Sequence, residues 1–147
     1  MLRLRIKKKK GAWSKEAIEY YRGYIKEMKA HGLEPFITLY HWTVPVWFAE
    51  MGGFERASNI QYFVRFAEKV LLELGAELTY ITTINEPDSV IGHGYITLQW
   101  PPQKHSYLKA FWVYRNLLVA HKRVYRLAKK MGARRYKVGF TKAYAWA

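Results

Sequence analysis

Along residues 14–30 the apolar side chains Ile18, Tyr21, Ile25 and Met28 recur at steps of three and four, the spacing of one helix face. Ser14 offers an N-cap hydroxyl and Gly32 follows the last turn, so the spacing predicts an amphipathic helix. The pattern then changes. "EPFITLYHW", residues 34–42, is a continuous β-branched and aromatic run that starts after Pro35 and stops before Pro45, which predicts a buried strand. Helical spacing returns with Ile60, Phe63, Val64, Ala67, Val70, Leu71 and Leu74, with Ser58 or Asn59 as cap and Gly75 as terminator. "LTYITTIN", residues 78–85, predicts a second strand. A loop holding Trp100, Pro101 and Pro102 leads to a third periodic segment, Ala110, Tyr114, Leu117, His121, Val124, Ala128 and Met131, which Gly132 ends. "YKVGFT", residues 136–141, predicts a last strand.

Alternating helices and strands are the pattern of parallel βαβ units, because parallel strands need a crossover and a helix supplies it. The expected class is therefore α/β, with roughly three strands and three helices. Residues 11–147 carry no linker or change of composition and read as one unit, preceded by a basic segment at 1–10. In folds of this kind the chemistry sits where strands give way to loops at their C-terminal ends. Those ends are "YHW" (40–42) and "NEP" (85–87).

Composition narrows the function classes. With 147 residues, 50% hydrophobic and 17% aromatic, the chain has enough apolar side chains for a core and too many for disorder. The net charge of +14 invites a polyanion partner, but six of the positive charges lie in "MLRLRIKKKK", where a solvated segment is the ordinary reading. The aromatic residues stand beside the strand ends and are not interleaved with the lysines, which disfavours stacking on single strands. Nucleic-acid binding is thus expected to be non-specific and salt-dependent if present at all. With no cysteine there is no disulfide framework or thiolate metal site, and no cofactor or metal is called for. No apolar segment has signal-peptide or membrane-spanning length, so the reading is cytoplasmic, with no membrane partner.

The candidate chemistry centres on Glu86, a carboxylate at the tip of a largely apolar strand, with the Asn85 amide beside it and His41 and Trp42 at the neighbouring strand end. Cleavage of a glycosidic bond needs a carboxylic acid to protonate the leaving oxygen and a second carboxylate on the other face of the sugar. An amide can hydrogen-bond a sugar hydroxyl, and an indole plane suits an apolar sugar face. Each residue also has a plainer reading. Glu86 could be a helix-start carboxylate and His41 a structural histidine. His121, at core spacing on its helix, is expected to be buried and hydrogen-bonded, and Trp47, Phe48 and Trp112 are expected to pack.

Taken together, "LYHWTVP" (39–45), "GGF" (52–54), "TINEP" (83–87), "GY" (94–95), "WPP" (100–102) and "NLLVAHK" (116–122) resemble successive landmarks of family 1 glycoside hydrolases, the retaining β-glucosidases and β-galactosidases. The resemblance runs from about Gly11 to about Phe140 and implies a TIM (β/α)8 barrel acting on a β-glycoside or oligosaccharide substrate in carbohydrate metabolism. It assigns Glu86 as general acid/base, Asn85 as ligand of the sugar 2-hydroxyl, and His41 and Trp42 to the sugar subsite. The family usually has tryptophan where Ile81 stands, which bears on packing more than on chemistry. A whole barrel has eight strands and typically about 250 residues. The resemblance therefore implies an incomplete barrel covering about strands two to five, with "MLRLRI" as the stump of a strand. It places the family's nucleophile in a Glu-Asn-Gly motif, which does not occur here, so the lone chain is expected to be inactive and prone to self-association through unpaired strand edges. Two alternatives stay open: a non-catalytic sugar-binding half-barrel, and a basic nucleic-acid-binding module using Arg3, Arg5 and Lys7 to Lys10.

Overall fold

A computed structural model describes residues 11–132 and 135–143. The basic segment 1–10, with its expected strand stump, lies outside the described residues. Helix α1 (Lys15–Ala30) starts at Ser14, whose hydroxyl accepts the Ala17 N–H at 3.1 Å, and buries Ala17, Ile18 and Ile25. Gly32, at φ +74°, turns the chain out of the helix in a left-handed conformation that a Cβ would oppose. Strand β1 (Phe36–Tyr40) follows, then the short helix α2 (Val46–Glu50), single 3-10 turns at Gly53–Glu55 and Ala57–Asn59, and helix α3 (Ile60–Leu74). After strand β2 (Tyr80–Asn85) comes helix α4 (Pro87–Ile91), prolonged by a π-helical turn at Gly92–Ile96. Helix α5 (Tyr107–Gly132) and strand β3 (Lys137–Thr141) complete the described order.

The three strands form one parallel sheet in the order β1-β2-β3, with Phe36 opposite Tyr80 and Tyr40 opposite Ile84. Between β2 and β3 the register shifts after Thr82, so that Asn85 comes to lie opposite Thr141. Such irregularities re-aim side chains at a strand end. Helices α3 and α5 pack against each other, and their apolar faces meet the sheet. Phe63, Leu74, Leu117 and Val124 are fully buried there, and Phe48, Phe54 and Tyr40 interlock edge-to-face with Phe63 or with one another. At roughly 25 cal/mol per Å² of apolar surface removed from water, these side chains are the main favourable term of the fold.

The run 34–42 predicts a buried strand, and here the structure differs in part. Ile37, Leu39, Ile81 and Thr83 are buried, whereas Phe36, Thr38, Tyr80 and Thr82 are exposed or half-buried. Three strands cannot close around their second face, so the side chains alternate over the first part of each strand, until Tyr40 and Ile84 are buried as well. On that open face Phe36 stacks on Tyr80 at 4.2 Å, with the Lys137 ammonium 5.2 Å from the Tyr80 ring. Trp112 was expected to pack, yet it is 45% exposed, with the Arg115 guanidinium over its ring. Asn59 does stand at the α3 N-cap position, but its amide donates to the Met51 and Gly53 carbonyls and so ties down the loop before the helix.

Among the described residues three polar side chains are buried in the core: Asn59, Thr83 and Asn116. The Thr83 hydroxyl donates to the Gly139 carbonyl at 3.1 Å and meets His121 Nδ1 at 2.7 Å. Since its one proton goes to Gly139, the hydroxyl accepts from Nδ1–H. Burial holds His121 below the usual histidine range, so the ring that bridges α5 to β2 is neutral. His121 is half-buried and hydrogen-bonded, close to its expected core role. Asn116 donates to the Phe54 carbonyl at 2.9 Å, joining α5 to the turn after β1. Replacing it by leucine orphans that buried carbonyl. The expected cost for Asn116→Leu is about 1–3 kcal/mol, read as a lower urea midpoint at unchanged m-value.

Candidate functional site

Because β1 and β2 run parallel in register, their C-terminal ends open side by side. His41 and Trp42 leave β1, and Asn85 and Glu86 leave β2. The Asn85 amide nitrogen lies 3.5 Å from His41 Nε2, so these two sequence-predicted residues meet directly. The His41 ring stands edge-on to Trp42 at 4.7 Å, which brings the third into the group. Glu86 follows Asn85 in the chain, and its backbone N–H donates to the Thr141 carbonyl at 3.0 Å.

Two of the four residues hold left-handed backbone. Trp42 sits at φ +67° and Glu86 at φ +43°, a region that costs a residue with a Cβ about 1–2 kcal/mol. The Tyr40 hydroxyl donates to the Trp42 carbonyl at 3.0 Å, and the Thr43 N–H donates to the His41 carbonyl at 2.8 Å, which fixes the turn at Trp42. The buried Trp42 indole N–H has no hydrogen-bond partner among the described residues.

Glu86 occupies the N-cap position of α4, with Pro87 as the first helical residue. Its side chain makes no bond to the backbone N–H groups of the first turn. The carboxylate accepts instead from the Ser89 hydroxyl, at 3.0 Å on Oε2. Asp88, one residue into the helix, buries Oδ1 without a hydrogen-bond partner.

Residues that sequence reasoning missed complete the site. The Thr141 hydroxyl donates to Asn85 Oδ1 at 2.7 Å, which occupies the amide carbonyl and leaves the Asn85 NH2 on the His41 side. The rule that picked out the other strand ends reaches this one too, since Thr141 ends β3. Trp100 lies 4.7 Å from Trp42, tilted by 42°, and His93 lies 4.3 Å from Trp100. His41, Trp42, Trp100 and His93 thus form one row of rings beside Asn85 and Glu86. Below Trp42 a cavity of about 140 Å³ is lined by Tyr40, Glu55, Tyr95, Pro101 and Lys104 among others. No group of three metal-ligating side chains occurs among the described residues, and none of their helices is long and apolar enough to cross a membrane.

Chemically, the site offers a carboxyl group with one weak tether, an amide donor, an imidazole and indole faces. That is a set suited to a polyhydroxylated ligand with apolar faces. The sequence profile of Glycosyl hydrolase family 1 matches residues 4–147. A 6-phospho-beta-galactosidase from Clostridium acetobutylicum is 35% identical over 123 residues, which is 83% of this chain and 26% of that protein. Among solved structures, a beta-glycosidase from Pyrococcus horikoshii superposes with a TM-score of 0.88 at 36% identity, covering 95% of this chain and 32% of its own. A beta-glucosidase from Exiguobacterium marinum does so with a TM-score of 0.90 at 25% identity, again over 95% and 32%. The parallel sheet and its helices are part of the TIM-barrel architecture of these enzymes, and the chain spans about a third or less of their length.

The amide orientation can be checked without any ligand. In Thr141→Val the Asn85 carbonyl loses its donor, and the Asn85 side-chain NH2 signals in a 15N-correlated NMR spectrum are expected to move to the positions of a freely exposed asparagine as the amide regains rotation about χ2.

Proposed function

Because the chain belongs to glycosyl hydrolase family 1, we propose that its site is one half of a retaining β-glycosidase centre acting on β-glucosides or β-galactosides. Glu86 is the general acid/base, Asn85 holds the sugar 2-hydroxyl, and His41 and Trp42 form the wall of the sugar subsite. The observation that carries this reading is the parallel register of β1 and β2, with Asn85 3.5 Å from His41 at the shared rim. Retaining hydrolysis also needs a nucleophilic carboxylate roughly 5–5.5 Å from the acid. Of the eleven acidic residues, Asp88 is Glu86's nearest neighbour in the chain, and it belongs to the same helical turn. Glu55 is engaged by Lys104 and Tyr95. The 147 residues by themselves therefore bind sugar weakly and do not turn it over.

An aryl β-thioglucoside, whose sulfur link resists cleavage, is the probe. It should quench the tryptophan fluorescence of the chain in the millimolar range, and Asn85→Ala should weaken that binding about tenfold, the effect of losing one hydrogen bond. Absence of any saturable binding would sink the sugar-site reading. An activated aryl β-glucoside should give no turnover, and a 2-fluoro sugar no covalent adduct. Turnover abolished by Glu86→Gln would reveal a nucleophile inside this chain and overturn the half-site proposal.

We further propose self-association. Strands β1 and β3 end the sheet with one side each unpaired among the described residues, and Phe36 and Phe140 beside them are exposed. The net charge of +14 per copy opposes contact between copies, so association should strengthen as salt screens that repulsion. Light scattering is expected to show a dimer or larger species at about 0.5 M salt, beyond the range of surface repulsion. A monodisperse 17.4 kDa species at every salt concentration contradicts it.

A further inference from the structure

The cavity under Trp42 contains an ionic cluster that the acid/base site does not use. Glu55 Oε1 accepts from the Tyr95 hydroxyl at 2.9 Å and from Lys104 Nζ at 2.8 Å, and Lys109 Nζ stands 4.0 Å from Oε2. The Glu55 side chain is 20% exposed. Burial opposes its ionisation, but the hydrogen bonds from Lys104 and Tyr95 and the two ammonium charges outweigh that and hold the carboxyl below the usual glutamate range. The same burial, with the Glu55 carboxylate alongside, holds the Tyr95 phenol far above its ordinary range. Glu55 is thus an anion gripping two donors from a different part of the chain.

Those donors bracket the loop that carries Trp100. Tyr95 lies in the π-helical turn before the loop and Lys104 near its end. The Trp100 N–H donates to the His93 carbonyl at 3.1 Å, the Lys104 N–H to the Gly94 carbonyl at 3.2 Å, and the Ser106 N–H to the Tyr95 carbonyl at 3.2 Å. At Gly94 the loop packs closely: a Cβ would fall 3.3 Å from Pro102 Cδ and 3.4 Å from the Pro101 carbonyl oxygen, and the loop would have to give by a few tenths of an ångström. Both ends of the loop are therefore anchored to the turn after β1, and at the loop's middle the Trp100 ring meets Trp42 at 4.7 Å. Trp42 is itself only two residues past the end of β1, next to His41.

We propose that Glu55 is a positioning residue for the leaving-group side of the cleft. By clamping Tyr95 and Lys104 it sets the Trp100 ring against Trp42, and so extends the wall of the sugar subsite with a second ring on which a leaving group lies. The assignment rests on the β-glycosidase reading, in which the acid protonates the leaving-group oxygen, so the group beyond that oxygen faces the acid's own βα connection, residues 86–106. Glu55 touches no reacting atom. Its influence is confined to Trp100 and so to how an aromatic or other apolar leaving group is held, while the sugar itself is held by Asn85, His41 and Trp42.

Two indoles this close couple their excited states, and the far-ultraviolet circular dichroism of the full chain carries the resulting exciton couplet without any ligand. Trp100→Phe should abolish the couplet and defines the zero. Glu55→Ala and Lys104→Met should each lose most of it at unchanged helical signal, and Glu55→Gln, which keeps an acceptor for Tyr95, should retain an intermediate amplitude. Lys104→Met leaves Tyr95 paired and changes only a surface side chain, so it decides the matter should Glu55→Ala fail to fold. A full couplet in folded Lys104→Met or Glu55→Ala overturns the proposal. With ligands, wild type should bind an aryl β-thioglucoside several-fold more tightly than methyl β-glucoside, and Glu55→Ala should lose that preference while binding the methyl sugar equally well. Equal loss for both sugars would make Glu55 a general structural residue and overturn the positioning role. Should neither sugar bind wild type, the sugar reading fails, while the couplet still judges the Glu55 clamp.

Discussion

Everything at the candidate site depends on β2 being paired in parallel on both of its edges. Parallel pairing sends three C-terminal strand ends to one rim, and the rim then collects His41 from β1, Asn85 and Glu86 from β2, and Thr141 from β3. An antiparallel partner on either side would put its own end at the far edge of the sheet, roughly the length of a five-residue strand away. The register shift after Thr82 refines the arrangement by setting Asn85 opposite Thr141. The core serves this geometry. Ile81 and Thr83 fix the height of β2 against α5, the first by burial and the second through the neutral His121 ring.

Polar groups in the interior act at the same places. Asn59 and Asn116 each satisfy carbonyls of the stretch between β1 and α3, whose helical pieces are too short to pair their own end carbonyls. Buried carbonyls in such a stretch need donors from elsewhere, and their absence would cost more than their presence contributes. The loop is held by a few directed bonds instead of by a ladder. This is why Glu55, at its tip, can be buried enough to act as an anchor for a second loop that lacks regular structure.

The regular elements were legible in the sequence because each had its own periodicity and stop signals. Ser14 and Gly32 bounded α1, and Gly75 and Gly132 stood at or just past the ends of α3 and α5. The strand-end rule found His41, Trp42, Asn85 and Glu86 with no coordinates, and the family motifs pointed to the same four. Less legible was anything that depended on which side of an element had a neighbour. Phe36 and Trp112 look like core residues by type, yet they are exposed because nothing among the described residues covers the second sheet face or that flank of α5. Asn116 and Glu55 were invisible for the opposite reason, since their polarity suggests surface and only the long-range partners Phe54, Tyr95 and Lys104 explain their burial. The short helices α2 and α4 escaped because five residues are too few to establish a period.

The left-handed backbone at Trp42 and Glu86 has an evolutionary reading. Glycine or asparagine would occupy either position with less strain, so folding stability alone gives no reason for a bulky indole or a charged carboxylate there. A lineage released from chemical demand gains by making those exchanges, and mutation offers them continually. Each of these two turns stores about 1–2 kcal/mol of conformational cost at the rim where β1 and β2 end, a cost that a purely structural turn has no need to carry.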